Sequence, residues 1–229
     1  MRTKHAPFVG MLFAGILMGN TALAAPITGT INAGSGGGLF ATGSWATEEP
    51  YAELSWEVSE SSNIWTYEYT FSLPAKENSH SIFEVSSDFA AENILDGTTS
   101  GWELGNWYDQ GMSNPGIPGT LYGIKFDGSG LNDMFTIVTD RAPMWGSFYS
   151  KDGREGGGPG SEWVYAHNEN FGSYSNAGIY GDAPSGYALV PNTETAKVSE
   201  PGTLGMMGLG FLSLVLGSVF TRRKTDALG

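Results

Sequence analysis

The sequence predicts an all-β fold: a single β-sandwich ectodomain of Greek-key or jelly-roll type, flanked by an N-terminal signal peptide and a C-terminal transmembrane helix. Three observations lead there. Apolar and polar residues alternate with period two in the two longest patterned stretches, which is the signature of half-buried strands. Short runs of aromatic and β-branched residues recur between Gly, Pro, Asn and Asp clusters. Both extreme ends are apolar and flanked by bases, unlike anything between them.

Taking the chain in order, Arg2 and Lys4 precede an apolar stretch from Phe8 to Met18, and Ala22-Leu23-Ala24 follows. This is the layout of a secretory leader with a small-x-small cleavage site. Cleavage after Ala24 leaves Ala25 as the first mature residue, so 1–24 is the signal peptide and signal peptidase is its partner. The body runs to residue 190, followed by a polar stalk over 191–197. Between 26 and 197 there are 22 acids and 6 bases, a formal charge of 6 − 22 = −16 against −13 for the whole chain. That surface excludes nucleic acid as a partner, because binding a polyanion needs the opposite sign. The chain has no cysteine, which excludes thiol catalysis, cysteine-ligated metal and disulfide support.

Within the body, "INAGSGGGLFATG" (31–43) is glycine-rich and aperiodic, fitting a flexible leader or a turn between edge strands. In 51–58, Ala52, Leu54, Trp56 and Val58 share one face. In 64–73, Trp65, Tyr67, Tyr69, Phe71 and Leu73 do the same, and the short link 59–63 makes the two an antiparallel hairpin. Six further strands are expected at 81–85, 121–126, 134–139, 147–150, 163–167 and 186–190. Only 86–95 favours helix, with Ser87 or Asp88 as its cap. Residues 152–162, rich in glycine, form the most obvious loop excursion.

From Thr203 to Phe220 there is no charge, a helical length of ~27 Å against a bilayer core of ~30 Å. Arg222, Arg223 and Lys224 follow directly and stop transfer, holding that end in the cytoplasm and the body outside it. Proline disfavours helix in the residue before it, so Glu200 stays extended ahead of the span. The order Val198-Ser199-Glu200-Pro201, glycine-rich apolar span, basic triplet resembles the PEP-CTERM sorting signal of Gram-negative bacteria, with Ser199 where the family has its first proline. The resemblance covers 198–229 and implies recognition and cleavage by an exosortase. It further implies a transient stay at the inner membrane and delivery to the cell surface or exopolysaccharide matrix.

For the body itself the residues favour no catalytic machinery. The histidines other than His5 are His80 and His167, read as exposed loop residues, and neither a zinc-protease spacing nor a nucleophile elbow occurs. Glu84, Glu103, Asp109 and Glu162 are the carboxylates on offer for glycan cleavage. Trp102, Trp107 and Tyr108, set among glycines and acids, are candidates for a sugar-stacking platform. Trp145, Tyr149 and Trp163 read as core. Asp127, Ser129, Asn132 and Asp133 offer hard oxygen ligands for calcium in "DGSGLND", although an ordinary hairpin turn is the commoner use of such a loop. No other cofactor is expected. The expectation is a non-catalytic exported surface or matrix protein. Its rivals are a carbohydrate-binding module, a glycan-cleaving enzyme, and a permanently anchored protein facing the periplasm.

Overall fold

The computed structural model describes residues 24–157, 159–173, 179 and 184–195. Ala24 and Ala25 are exposed and outside any regular element. The strands are β1 (Ile27–Asn32), β2 (Leu39–Ala41), β3 (Glu53–Ser61), β4 (Ile64–Ser72), β5 (His80–Glu84), β6 (Glu103–Trp107), β7 (Leu121–Asp127), β8 (Asn132–Thr139), β9 (Arg141–Gly146), β10 (Phe148–Arg154), β11 (Trp163–Asn168) and β12 (Ala188–Thr195). They form a four-stranded sheet in the order β1-β3-β4-β8, a six-stranded sheet β2-β11-β10-β5-β7-β6 and a two-stranded sheet β12-β9. Every pairing between them is antiparallel.

The all-β expectation holds, and so do all eight expected strand positions. The inward faces of β3 and β4 are the ones that alternation assigns: Leu54, Trp56, Val58, Trp65, Tyr67, Tyr69 and Phe71 are all buried. They meet the six-stranded sheet ring on ring. Tyr69 stacks on Phe83 with centroids 4.0 Å apart, and Phe71 meets Phe148 edge-on at 5.2 Å. The buried phenols still need partners, since an unpaired hydroxyl in an apolar interior is costly. Tyr67 donates to the Arg141 carbonyl and Tyr69 to that of Leu189, both at 2.8 Å, which ties the β9–β12 pair onto the same core. Burial pushes both phenols well above their ordinary pKa.

Sequence and structure differ at several places. The link 59–63 is shorter than expected: β3 runs on to Ser61 and only Ser62 and Asn63 turn, both at positive φ, as a two-residue hairpin of matching twist requires. Residues 31–43 are the turn of the two alternatives, carrying the chain from β1 at the edge of one sheet to β2 at the edge of the other. Gly29 sits at an inward position of β1 because the Trp56 indole fills the space that a Cβ would need. The helix expected at 86–95 shrinks to a 3₁₀ turn at Ala91–Asn93, and its Ala90 N–H is held by the Asn93 side chain rather than by Ser87 or Asp88. Phe89 is buried in the main core, and a helix through it is replaced by a loop that delivers it there. A short helix α1 (Ser44–Thr47), unforeseen, buries Trp45, whose indole N–H donates to the Ala75 carbonyl at 2.9 Å.

The boundary between body and stalk also moves. β12 pairs with β9 from Ala188 to Thr195, so 191–195 belongs to the sheet rather than to a stalk. Pro191 lies opposite Pro143, a pairing that a two-stranded edge tolerates because no further strand requires their missing N–H. Among the described residues no helix is long and apolar enough to cross a membrane. The signal peptide apart from Ala24, the motif 198–201, the span 203–220 and the basic triplet lie outside the described residues.

Candidate ligand-binding cleft

The outer face of the six-stranded sheet carries an unusual row. Strand register aligns Phe40, His167, Tyr149, Ile82, Lys125 and Glu103 across it, and Tyr165, Lys151, His80 and Asp127 in the next row. The segment 108–120, which joins β6 to β7, folds back over this face as a strap. Ile117 is buried there against Ile82, Leu121 and Tyr149, forming a second small apolar cluster. The Tyr149 hydroxyl donates to the Pro115 carbonyl at 2.8 Å, and burial raises its pKa. Asp109 accepts from the Gly111 and Gly116 N–H groups and so shapes the strap. Gly116, at φ 73°, lies flat on the Tyr165 ring, where a Cβ has no room.

Beside the strap is an open cleft of about 390 Å³, with His80, Trp107, Asn114, Lys125 and Lys151 in its walls. Asn106, Gln110 and Ser113 add amide and hydroxyl groups, and Met112 an exposed thioether. Contrary to the loop assignment, His80 is a β5 residue only 8% exposed. Its Nε2 lies 2.9 Å from Asn114 Oδ1, while Asn114 Nδ2 donates to the Tyr108 carbonyl at 3.1 Å. With the amide oriented that way, His80 Nε2 carries the hydrogen. Burial, reinforced by the neighbouring Lys151 charge, lowers the His80 pKa to about 4, so the imidazole is neutral at pH 7. His167 lies in the strand expected at 163–167 but is half-buried rather than exposed, stacked on Phe40 at 4.9 Å, with its pKa lowered by burial.

The cations of the cleft differ from each other. Lys125 pairs with Glu103 at 2.7 Å and lies 4.9 Å from the centre of the Trp107 ring. Lys151 has neither an ion pair nor a side-chain hydrogen bond among the described residues. Burial lowers its pKa, with Asp152 opposing and Lys125 adding to the shift. Asp152 itself is held by Lys76 at 2.9 Å. The remaining described bases are occupied elsewhere, Arg141 by Asp140 at 3.4 Å and Arg154 by the Trp163 ring and the Ser161 carbonyl.

The sequence-derived candidates do not assemble as a set. Trp102 precedes β6 and Trp107 ends it. Trp102 packs toward the main core, Trp107 packs on the second cluster and donates to the Gly123 carbonyl at 2.9 Å, and Tyr108 stands 47% exposed. The three form no common platform, and only Trp107 reaches the cleft. Trp145 and Tyr149 are buried as read, whereas Trp163 is only half-buried under Arg154. Among the carboxylates, Glu84 is buried and accepts the Ser147 N–H at 2.7 Å, Glu103 holds Lys125, Asp109 shapes the strap, and Glu162 is exposed.

The segment "DGSGLND" is not a hairpin, for it crosses from β7 in one sheet to β8 in the other. Asp133 accepts from Asn78 Nδ2 at 2.9 Å and from the Ser129 N–H at 3.3 Å, which makes it a brace for that crossing. Asp127 ends β7 opposite His80, and Asn132 opens β8 on the surface. Among the described residues no group of three or more His, Asp or Glu converges on a metal site.

Sequence reasoning missed His80, Asn114 and Lys151. The available signal was Ile117, a β-branched apolar residue in a Gly- and Pro-rich loop, a residue type that is most often buried. No protein-family model, curated protein or solved structure matches this chain.

Proposed function

We propose that this chain is an exported, non-catalytic protein of the cell surface or exopolysaccharide matrix. Its body is a β-sandwich of Greek-key type, delivered by the signal peptide 1–24 and released by exosortase cleavage near 198–201. The observation that carries the reading is the three-part C-terminus: Glu200-Pro201, an uncharged span from Thr203 to Phe220, and Arg222-Arg223-Lys224. A permanent anchor needs only the last two parts. At the other end, exposed Ala24 and Ala25 precede β1, leaving the leader junction open to signal peptidase.

Intact-mass measurement on the surface form decides between release and permanent anchoring. The expected mass ends close to Val198–Pro201, and Glu200→Ala is expected to block release. A surface form that keeps Met206 and Met207, or a Glu200→Ala variant released normally, replaces this reading with the permanent anchor.

A further inference from the structure

We propose that the cleft between the 108–120 strap and strands β5, β7 and β10 binds a carboxylate-bearing saccharide, with the Lys151 and Lys125 ammonium groups on the carboxylate and the Asn106 and Gln110 amides on the hydroxyls. The inference concerns the ligand of the body and is independent of how the chain is sorted.

The body carries 22 acids against 6 bases, yet two of those bases line one cleft. Like charges at close quarters repel, and partial burial strengthens the repulsion. Lys125 is already balanced by Glu103, but Lys151 is the described base left without a partner, and its nearest carboxylate, Asp152, is held by Lys76. An anion in the cleft supplies the missing partner.

The number and kind of charges narrow the anion. Ammonium groups act as point charges, without the fork by which arginine grips phosphate in two places. Among the described residues, the base that continues along this face from the cleft is Arg154, already taken up by the Trp163 ring and the Ser161 carbonyl, and the other neighbouring outer-face positions are Tyr165, His167, Asp127 and Glu103. A polyphosphate or nucleic acid backbone therefore meets repulsion as soon as it leaves the cleft. A single carboxylate fits the site.

What surrounds the charges points to a polyhydroxylated body. Asn106, Gln110 and Ser113 present amide and hydroxyl groups, and the aromatic contribution is the Trp107 indole, whose ring already carries Lys125. His80 and Asn114 form a closed pair beneath, so neither needs the ligand for its own hydrogen bond. At about 390 Å³ the cleft is at the small end for a ligand site, and it is open, which suits one unit of a longer chain.

Calorimetric titration of the full-length chain in mild detergent tests this with three probes: an oligouronate, a neutral glucose oligomer of equal length, and acetate. The oligouronate is expected to bind, and Lys151→Gln to weaken it by about tenfold, the loss typical of one charge-assisted hydrogen bond. Lys151→Arg is expected to restore most of the affinity. Circular dichroism establishes that both variants keep the β fold, and Lys151→Arg keeps the test valid if the glutamine variant does not. Absence of oligouronate binding overturns the proposal, as does equal binding of the neutral oligomer, or a folded Lys151→Gln that binds undiminished. If acetate binds as tightly as the oligouronate, the cleft is a site for small carboxylates and the saccharide half of the proposal fails.

Discussion

The two large sheets share one core but present opposite outer faces. The four-stranded sheet turns Thr28, Ser55, Glu57, Glu68, Thr70 and Met134 to solvent around a shallow groove, with Glu57 directly opposite Glu68 and no base among these residues. The six-stranded sheet turns Tyr149, Ile82, His80, Lys125 and Lys151 outward and then covers part of them with its own 108–120 strap. Strand β4 accordingly shows clean alternation of burial, while all five residues of β5 are buried. A sheet face that is merely solvated needs hydroxyls and scattered charges. A face that is half covered acquires buried histidine, oriented amides and a walled cleft, the features on which the proposed saccharide site rests.

The comparison is broken most severely by removing the strap's anchor. Ile117→Asp places a charge in the second apolar cluster and is expected to cost about 3 kcal/mol, from lost apolar burial and charge desolvation together. Met134→Asp on the other face, at a residue 71% exposed, is expected to change stability by less than about 0.5 kcal/mol. Denaturant midpoints of the two variants check both values. Equal losses would mean that the strap is not bound to its sheet.

A smaller effect separates the faces by pH. His80 is held near a pKa of 4 when folded, against 6.5 when free, so between those values the unfolded chain takes up a proton that the folded chain refuses. Its contribution is complete above about pH 6.5 and falls as the pH drops toward 4, by on the order of 3 kcal/mol in all. The lowered pKa of His167 acts in the same direction. Replacing His80 with Gln, which keeps a donor for Asn114, is expected to flatten most of the decline in unfolding free energy between pH 6.5 and 4. An unchanged profile would mean that His80 is not buried as a neutral group.

How much of this was legible in the sequence follows from the same contrast. The strands of the four-stranded sheet that face water announce themselves: Leu54, Trp56 and Val58, then Tyr67, Tyr69 and Phe71, recur at period two because the intervening residues are solvated. β1 escaped notice because Gly29 stands at an inward position, a choice imposed by the Trp56 ring on another strand. β6 escaped because an edge strand needs few apolar residues, and β9 because Pro143 reads as a breaker until Pro191 is seen opposite it. Nothing local marks the burial of His80 and His167, which end or begin short runs, because their surroundings are supplied by residues more than 30 positions away, such as Asn114 and Phe40. The cleft is thus a product of long-range placement, whereas the sorting signal is a linear pattern that needs no fold to be read.

Amide chemical-shift mapping with the oligouronate tests most directly the claim that the strapped face is the ligand face. The account expects shifts concentrated at Asn106, Trp107, Ser113, Asn114, Lys125 and Lys151, with Thr28, Ser55, Glu57, Glu68, Thr70 and Met134 unmoved. Shifts on the four-stranded face with the cleft silent would contradict it.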